Sequence, residues 1–258
     1  LVDEVHTIKK GNEIQKVIKN IKTPHKWGFT GTIPKEKEDY FTIRSIFGDI
    51  LYRKTSAELR DEGVLSEVES KILKLNHKVQ PPYVNKSDMP TDNWNIEVDF
   101  IVNSRSRNNY IATLAENCVG NTLIVVDRIA HGKNLMECLN VRKKFFISGE
   151  SDVEKVRKPI IAAMEKGEGI VVIAIASTFA TGTNIKNLHN LIFAFGGKAD
   201  TKIVQSVGRT LRKHPSKNMA YIWDVCDNLK YSEKHLEERI KIYDEQKIPY
   251  KIEEINLN

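Results

Sequence analysis

The sequence predicts an α/β fold with two parallel-sheet domains, the first of which lacks its N-terminal half. Short apolar runs alternate with helical stretches through the second half of the chain, which is typical of β-α-β units. The run at 170–176 is apolar throughout, as expected for a strand that is covered on both faces of a sheet. The chain opens on Leu1-Val2, a pair typical of the end of a buried strand.

The first domain is predicted from residue 1 to residue 79. Apolar residues at helical spacing indicate the first helix, and a hydroxyl at residue 55 or 56 suits the cap of a short helix ending near Gly63. We expect helices over 11–21, 36–47 and 55–63, and strands over 27–29, 50–52 and 64–75.

A polar, proline-bearing stretch over 80–95 separates the two domains as a linker or long loop. The second domain is expected over 96–231, with a C-terminal helix and tail over 232–258. Residues 96–102 fit a helix or a strand, and we favour a helix with a second one over 110–119. We expect strands over 122–126, 144–147, 170–176, 190–194 and 219–225, helices over 131–140, 152–166, 200–213 and 232–247, and a terminal strand or arm over 248–258.

Composition indicates a soluble globular protein. The chain has 258 residues, of which 40% are hydrophobic and 29% charged, and its net charge of +6 favours a polyanionic partner. Its three cysteines show no metal-ligand spacing and fit a reducing compartment. No apolar run approaches the roughly 20 residues of a membrane span, and no signal peptide is evident, so we expect a cytoplasmic protein.

A basic motif, Q-x-x-G-R-x-x-R, lies at 205–212. If this segment is helical, Arg209 and Arg212 share one face, and Gln205 lies one turn before Arg209. Two guanidiniums on one face call for an anion, and their planar fork matches phosphate oxygens. The alternative is a solvated basic helix face.

Acidic residues follow the first apolar pair, in the run Asp3-Glu4-Val5-His6. In an open α/β sheet, ligands bind outside the carboxyl ends of the strands, which favours a metal–nucleotide role over an exposed acidic loop. A polar turn, Thr30-Gly31-Thr32, follows the expected strand at 27–29.

In this order and spacing, the three motifs resemble those of the superfamily 2 nucleic-acid helicases: the D-E-x-H box, the S/T-x-T motif and the final arginine motif. The resemblance covers nearly the whole chain and is closest to the UvsW-type phage helicases of recombination and fork processing. It implies two RecA-like domains and an ATP-dependent DNA helicase or translocase for unwinding or branch migration. The resemblance implies ATP and Mg²⁺ as cofactors and DNA as the partner, with RNA left open. We expect a monomer in the cytoplasm of a phage-infected or bacterial cell.

The resemblance also implies roles for the nucleotide-site residues. Asp3 would hold Mg²⁺, and Glu4 would orient and deprotonate the attacking water. His6 would link the nucleotide site to the second domain through Gln205, and Thr30 and Thr32 would couple hydrolysis to domain movement. The expected nucleotide contacts in the second domain are Gly182, Asn184, Arg209 and Arg212.

Nucleic-acid contacts are implied for loops of the second domain. Ser148-Gly149 resembles a backbone-contacting motif, with Arg157 one helix later. Either Ser177, Thr178 or Thr181 would supply a further phosphate contact. His131 fits a phosphate contact and a helix-capping role about equally well.

No G-x-x-x-x-G-K-[ST] phosphate loop occurs in the sequence. We therefore expect this chain to be the C-terminal part of a longer polypeptide, from the D-E-x-H box onward, and to be inactive alone. Two alternatives are a nucleic-acid-binding or strand-annealing module without its own ATPase, and the motor part of a restriction-type enzyme.

Overall fold

The computed structural model divides into two compact units, Leu1–Lys54 and Thr55–Asn258. The structure describes residues 1–31, 33–34, 36–84, 90–180, 185–195, 213–217 and 219–257. The helix expected over 200–213 lies almost entirely outside the described residues.

In the described part of the first unit, the regular elements longer than a single β-bridge are helical. A 3₁₀ turn, Val5–Thr7, precedes helix α1 (Glu13–Asn20) and helix α2 (Lys37–Phe47). The side chain of Asn12 caps α1 by accepting from Gln15 N. Both helices match the sequence prediction within two residues at each end. A small core of Val5, Ile8 and Ile18 holds this unit together.

Neither strand expected in the first unit forms a ladder. The stretch at 27–29 contributes one parallel bridge, between Val2 and Gly28, and the stretch at 50–52 has no regular structure. A short apolar run becomes a strand only where a neighbouring strand accepts its hydrogen bonds, and the sequence of the run does not reveal that neighbour.

The second unit contains a parallel sheet of seven strands in the order β3-β4-β2-β5-β6-β1-β7. Its strands are β1 (Glu67–Asn76), β2 (Thr122–Val126), β3 (Lys144–Ile147), β4 (Val171–Ile175), β5 (Asn190–Phe193), β6 (Met219–Asp227) and β7 (Tyr250–Asn256). Every pairing between neighbours is parallel, and this confirms the predicted α/β class.

Helices connect these strands. Within the described residues they are α3 (Ser56–Asp61), α4 (Pro90–Asn103), α5 (Arg105–Asn117), α6 (Ile129–Cys138), α7 (Lys158–Lys166), α8 (Ala176–Ala180) and α9 (Lys230–Glu245), with a π-helical turn at Val153–Arg157. Helix α3 begins at a capping box, in which Thr55 Oγ1 accepts from Glu58 N and Glu58 Oε2 accepts from Thr55 N.

The core lies on both faces of the sheet. Along β2, Leu123 and Val125 join one cluster, whereas Ile124 and Val126 join the other. All four are buried to 1% exposure or less. Both faces of this strand are therefore covered, as its all-apolar sequence predicts.

The domain division differs from the predicted boundary at residue 79. Strand β1 lies between β6 and β7, so it belongs to the second unit. Its partner β6 begins at Met219, about 150 residues later in the chain. The single sequence gives no signal for such a long-range pairing, so proximity along the chain suggested the first domain instead. The expected linker also ends early, since α4 starts at Pro90, a residue well suited to a first helical position.

None of the described helices combines the length and apolar character needed to cross a membrane. The longest of them, α9, has 16 residues and carries many charged side chains.

Candidate nucleotide and nucleic-acid sites

The backbone of the first unit brings the acidic motif beside the polar turn. Val2 N donates to Trp27 O at 2.8 Å, and Phe29 N donates to Val2 O at 2.9 Å. Val5 N in turn donates to Phe29 O at 3.1 Å. The two segments run parallel, so the residues that follow Val2 and Phe29 emerge at the same edge.

Gly28 permits this close approach. A Cβ at this position would lie 2.9 Å from Val5 Cγ1 and 3.1 Å from the Phe47 ring. Distances this short force a neighbour to move, so glycine is required for the packing of the two segments.

The side chains of the acidic motif and the polar turn are in direct contact. His6 Nδ1 lies 2.8 Å from Thr30 Oγ1 and 3.2 Å from Glu4 Oε2. Asp3 Oδ1 accepts from Glu4 N at 2.9 Å, and Thr7 Oγ1 donates to Glu4 O at 2.8 Å. The geometry therefore brings Glu4, His6 and Thr30 together in one polar cluster, in which His6 shares a hydrogen bond with Thr30 and lies within ion-pair distance of Glu4.

Glu4 has a left-handed backbone, with φ 52° and ψ 44°. Residues other than glycine adopt this conformation rarely, and it costs free energy of order 1–3 kcal/mol. Such strain clusters at functional sites, and the carboxylate of this residue lies beside His6.

The exposed carboxylate of Asp3 suits a metal that is held mainly by phosphate and water. Mg²⁺ commonly uses one or two protein carboxylates together with substrate phosphates. Within the described residues, no group of three or more His, Cys, Asp or Glu side chains could enclose a metal ion. Asp3 is thus a single open carboxylate of the kind that Mg²⁺ uses when phosphates and water complete its coordination.

In the second unit, two of the expected nucleic-acid motifs meet at the carboxyl ends of neighbouring strands. Ser148 and Gly149 directly follow β3, and Thr178 lies in α8 directly after β4. A Cβ on Gly149 would be 3.9 Å from Thr178 Oγ1, so the two segments are adjacent. Ser148 and Thr178 are buried, whereas Gly149 is exposed.

Arg157 also belongs to this cluster, but its guanidinium binds the loop itself. Its Nε donates to Ser151 O at 3.0 Å, and its Nη2 donates to Ser148 O and Gly149 O at 3.2 Å each. Arg157 ends the π-helical turn, at the start of which the Asp152 carboxylate accepts from Lys155 N. A side chain expected to contact nucleic acid thus organises the loop after β3.

His131 lies in the interior of the second unit, in contrast to the expected phosphate contact. Its Nε2 lies 3.1 Å from Asn108 Oδ1 and 3.3 Å from Arg107 Nη1, and only 2% of the residue is exposed. Burial and the nearby Arg107 charge lower the pKa of His131 to about 3, so the ring is neutral at pH 7. The sequence alone could not reveal the burial of His131, because that burial depends on how helices α5 and α6 pack against each other.

Sequence reasoning missed a buried ionic network next to His131. Asp227 Oδ1 accepts from Arg107 Nε and lies equally close to His77 Nε2. Burial by itself would raise the pKa of Asp227, but the Arg107 charge and the hydrogen bonds from His77 and Arg107 lower it to about 2. The sequence signal that could have revealed this network is Asp227 itself, an acidic residue at the buried end of strand β6.

Seven expected site residues lie outside the described part of the chain: Thr32, Thr181, Gly182, Asn184, Gln205, Arg209 and Arg212.

Comparisons with known proteins agree with the resemblance to helicases. The chain is 28% identical to the ATP-dependent DNA helicase UvsW of Enterobacteria phage T4 over 277 aligned residues, which cover 99% of this chain and 54% of the T4 protein. The chain therefore spans about half the length of that relative. No family model matches the chain.

Solved structures give the same picture. The crystal structure of T4 UvsW matches 99% of this chain and 53% of its own with a TM-score of 0.59 and 26% identity. Dbp5 of S. cerevisiae, solved bound to RNA and ADP BeF3, matches 99% of this chain and 59% of its own with a TM-score of 0.60. At 12% identity, that second likeness concerns the fold alone. The chain is thus UvsW-like, and it is similar to the superfamily 2 helicases along nearly its whole length.

Proposed function

We propose that this chain is motor machinery of an ATP-dependent DNA helicase or translocase, which couples ATP hydrolysis to unwinding or branch migration of DNA. The contact between His6 and Thr30 carries the proposal, because it joins the acidic motif to the hydroxyl turn as a coupled nucleotide site needs. The likeness to the ATP-dependent DNA helicase UvsW of phage T4 over 99% of the chain supports DNA as the substrate. The resemblance to UvsW-type helicases extends the proposal to a role in recombination or repair.

The proposed nucleotide site is built around the acidic motif. Asp3 would hold Mg²⁺ through its open carboxylate, and the ion would neutralise charge on the phosphates of ATP when bound. Glu4 would orient the attacking water and accept its proton. His6 would transmit the state of the site to Thr30, with which it shares a hydrogen bond. Arg209 and Arg212 would stabilise charge on the transferred phosphoryl group.

The proposed nucleic-acid side is the loop after β3 together with α8. Both lie at the carboxyl edge of the parallel sheet, where ligands of such sheets bind. The exposed Gly149 offers its backbone to a phosphate, and Thr178 and Ser148 support it from below.

The test is DNA-stimulated ATP hydrolysis by a protein that carries this chain behind a phosphate-binding loop. Glu4→Gln removes the proposed base, and we expect kcat to fall roughly 10²–10⁴-fold. Arg212→Ala should lower kcat by roughly 10³–10⁵-fold. Glu13→Gln is the matched control, because Glu13 lies on the exposed side of α1 and forms a surface ion pair with Lys16. Full activity in the Glu4 and Arg212 variants would reject the proposed ATP site.

A second candidate is a nucleic-acid-binding or strand-annealing module without turnover. The net charge of +6 favours it, because a basic protein attracts a polyanion. Salt-sensitive DNA binding without DNA-stimulated ATP hydrolysis would support this candidate over the motor.

A further inference from the structure

We propose that Arg157 is a positioning residue, which folds the loop Ser148–Ser151 so that the backbone N–H groups of Gly149 and Glu150 receive a phosphate of the nucleic acid. This inference rests on the proposed nucleic-acid function of the second unit. The phosphate is then contacted by the backbone of the loop and not by the Arg157 side chain.

The guanidinium of Arg157 is committed to the loop. It donates to the carbonyl oxygens of Ser148, Gly149 and Ser151, at distances of 3.0 to 3.2 Å. One planar fork therefore fixes both ends of a four-residue loop. A lysine ammonium on a flexible stem cannot reproduce this fixed fork.

The loop closes on itself in addition. Ser151 N donates to Ser148 O at 3.1 Å, and Ser148 N donates to Ser151 Oγ at 2.9 Å. These bonds and those of Arg157 use the carbonyl groups of Ser148, Gly149 and Ser151 and the N–H groups of Ser148 and Ser151. In the described part of the chain, the N–H groups of Gly149 and Glu150 have no protein partner. Two successive N–H groups of this kind form a concavity suited to an anion.

The surroundings leave only the backbone of the loop for such a contact. Ser148 and Thr178 are 8% and 7% exposed, so their hydroxyls lie beneath the surface that Gly149 and Glu150 form. Arg157 lines a small apolar cavity together with Ile147 and Ile161, which holds its aliphatic stem in place.

The local charges also argue against a simple ion pair between Arg157 and a phosphate. Glu150 and Asp152 place two carboxylates in or beside the loop, and Asp152 is used to cap the next turn through Lys155 N. The positive charge of Arg157 offsets these carboxylates. The phosphate contact that remains is made by N–H dipoles, and we expect it to release no counterion of its own.

The experiment measures binding of a labelled single-stranded DNA oligonucleotide by fluorescence anisotropy, from about 50 to about 200 mM salt. Wild type is compared with Arg157→Ala and Arg157→Lys. We expect both variants to bind about tenfold more weakly at every salt concentration, with the slope of log K against log salt unchanged. The control Lys155→Gln removes an exposed charge from the same turn without touching the loop carbonyls, and it should keep wild-type affinity within about threefold.

Circular dichroism melting of the same samples separates a lost contact from a lost fold. Ser151→Ala is the milder variant, because it removes only the Oγ acceptor of Ser148 N. It should weaken binding in the same direction and leave the melting temperature unchanged, and wild-type affinity in this variant would count against the inference.

Two results would overturn the inference while leaving DNA binding intact. Arg157→Lys binding as tightly as wild type, or a slope shallower by roughly 0.7–0.9 in Arg157→Ala, would mean that the arginine itself neutralises a phosphate. Wild type without DNA binding would instead reject the proposed function on which the inference rests.

Discussion

A single carboxylate oxygen, Oδ1 of Asp227, lies 2.7 Å from both Arg107 Nε and His77 Nε2 in the interior of the second unit. All three side chains are at most 3% exposed. The network ties the ends of β1 and β6 to helix α5, and through Arg107 it reaches His131 in α6. It therefore links four elements at the carboxyl edge of the sheet.

Asp227→Asn should destabilise the protein strongly, because it leaves the Arg107 guanidinium buried without its counter-charge. Removing one partner of a buried ion pair costs about 3–5 kcal/mol. The measurement is the midpoint of urea unfolding, followed by far-UV circular dichroism. Asp61→Asn, at the exposed end of α3, is the matched control and should change the midpoint little. Equal midpoints in the two variants would show that the network contributes no stability.

Stability should also fall between pH 6.5 and pH 3 because of His131. The pKa of His131 is lowered from 6.5 to about 3 in the folded protein, so the unfolded chain binds a proton that the folded chain does not. Stability is then complete above pH 6.5 and decreases as the pH falls toward 3, with a slope of at most about 1.4 kcal/mol per pH unit. In the His131→Gln variant, the midpoint of urea unfolding should therefore change less with pH over this range.

Asp227 acts in a lower pH window, which makes the two groups separable. Its folded pKa of about 2 lies below the ordinary 3.8, so its contribution is present above pH 3.8 and is lost as the pH falls toward 2. The His131→Gln variant should still show this loss of stability below pH 3.8. An unchanged slope between pH 6.5 and pH 4 in that variant would contradict the assignment to His131.

Glu97→Gln should weaken the junction between α4 and α9. The Glu97 carboxylate accepts from Tyr231 N, Ser232 N and Ser232 Oγ at the start of α9, and from Tyr83 OH at 2.6 Å. It therefore serves as a helix cap supplied by another helix, and its negative charge faces the positive end of the α9 dipole. We expect a loss of about 1.5–3 kcal/mol in unfolding free energy.

The exposed Glu137 on α6 supplies the control for this substitution. Glu137→Gln should leave the urea midpoint unchanged. Tyr83→Phe, which deletes only one of the four donors, should give a smaller loss than Glu97→Gln. The reverse order would indicate that the phenol, rather than the helix cap, carries the stability.

Gly132→Ala should destabilise α6 despite the higher helix propensity of alanine. A Cβ at this position would lie 2.3 Å from the Phe146 ring, and overpacking of this kind costs about 1–3 kcal/mol. The propensity gain of about 1 kcal/mol offsets only part of it. Phe146→Leu in the Gly132→Ala background should restore stability, as measured by thermal melting, and failure to do so would argue against the steric cause.

The sequence predicted the local structure of the second unit far better than its long-range pairing. The strands at 122–126 and 144–147 match residue for residue, because their apolar runs are short and bounded by polar turns. The neighbours of β1 could not be predicted, since strand pairing is decided by contacts across about 150 residues of chain.

The candidate site shows the same limit at the level of side chains. Motif order brought Glu4, His6 and Thr30 to attention, and the structure places them together. The contacts of the Arg157 and His131 side chains could not be predicted from the sequence. Arg157 binds the carbonyl groups of a folded loop, and His131 is buried by helix packing. Residue type suggests a ligand, but only three-dimensional packing decides whether the side chain reaches it.

The adjacency of β1 and β7 has a mechanical consequence. These parallel strands pair from Ser70–Tyr250 to Asn76–Asn256, and they come from the beginning and the end of the second unit. A pulling force between the start of β1 and the end of β7 acts along the strands in opposite directions. It loads all the hydrogen bonds between them in shear at once instead of opening them singly. The pairing of β1 with β7 therefore makes the second unit resist a force that pulls its two ends apart.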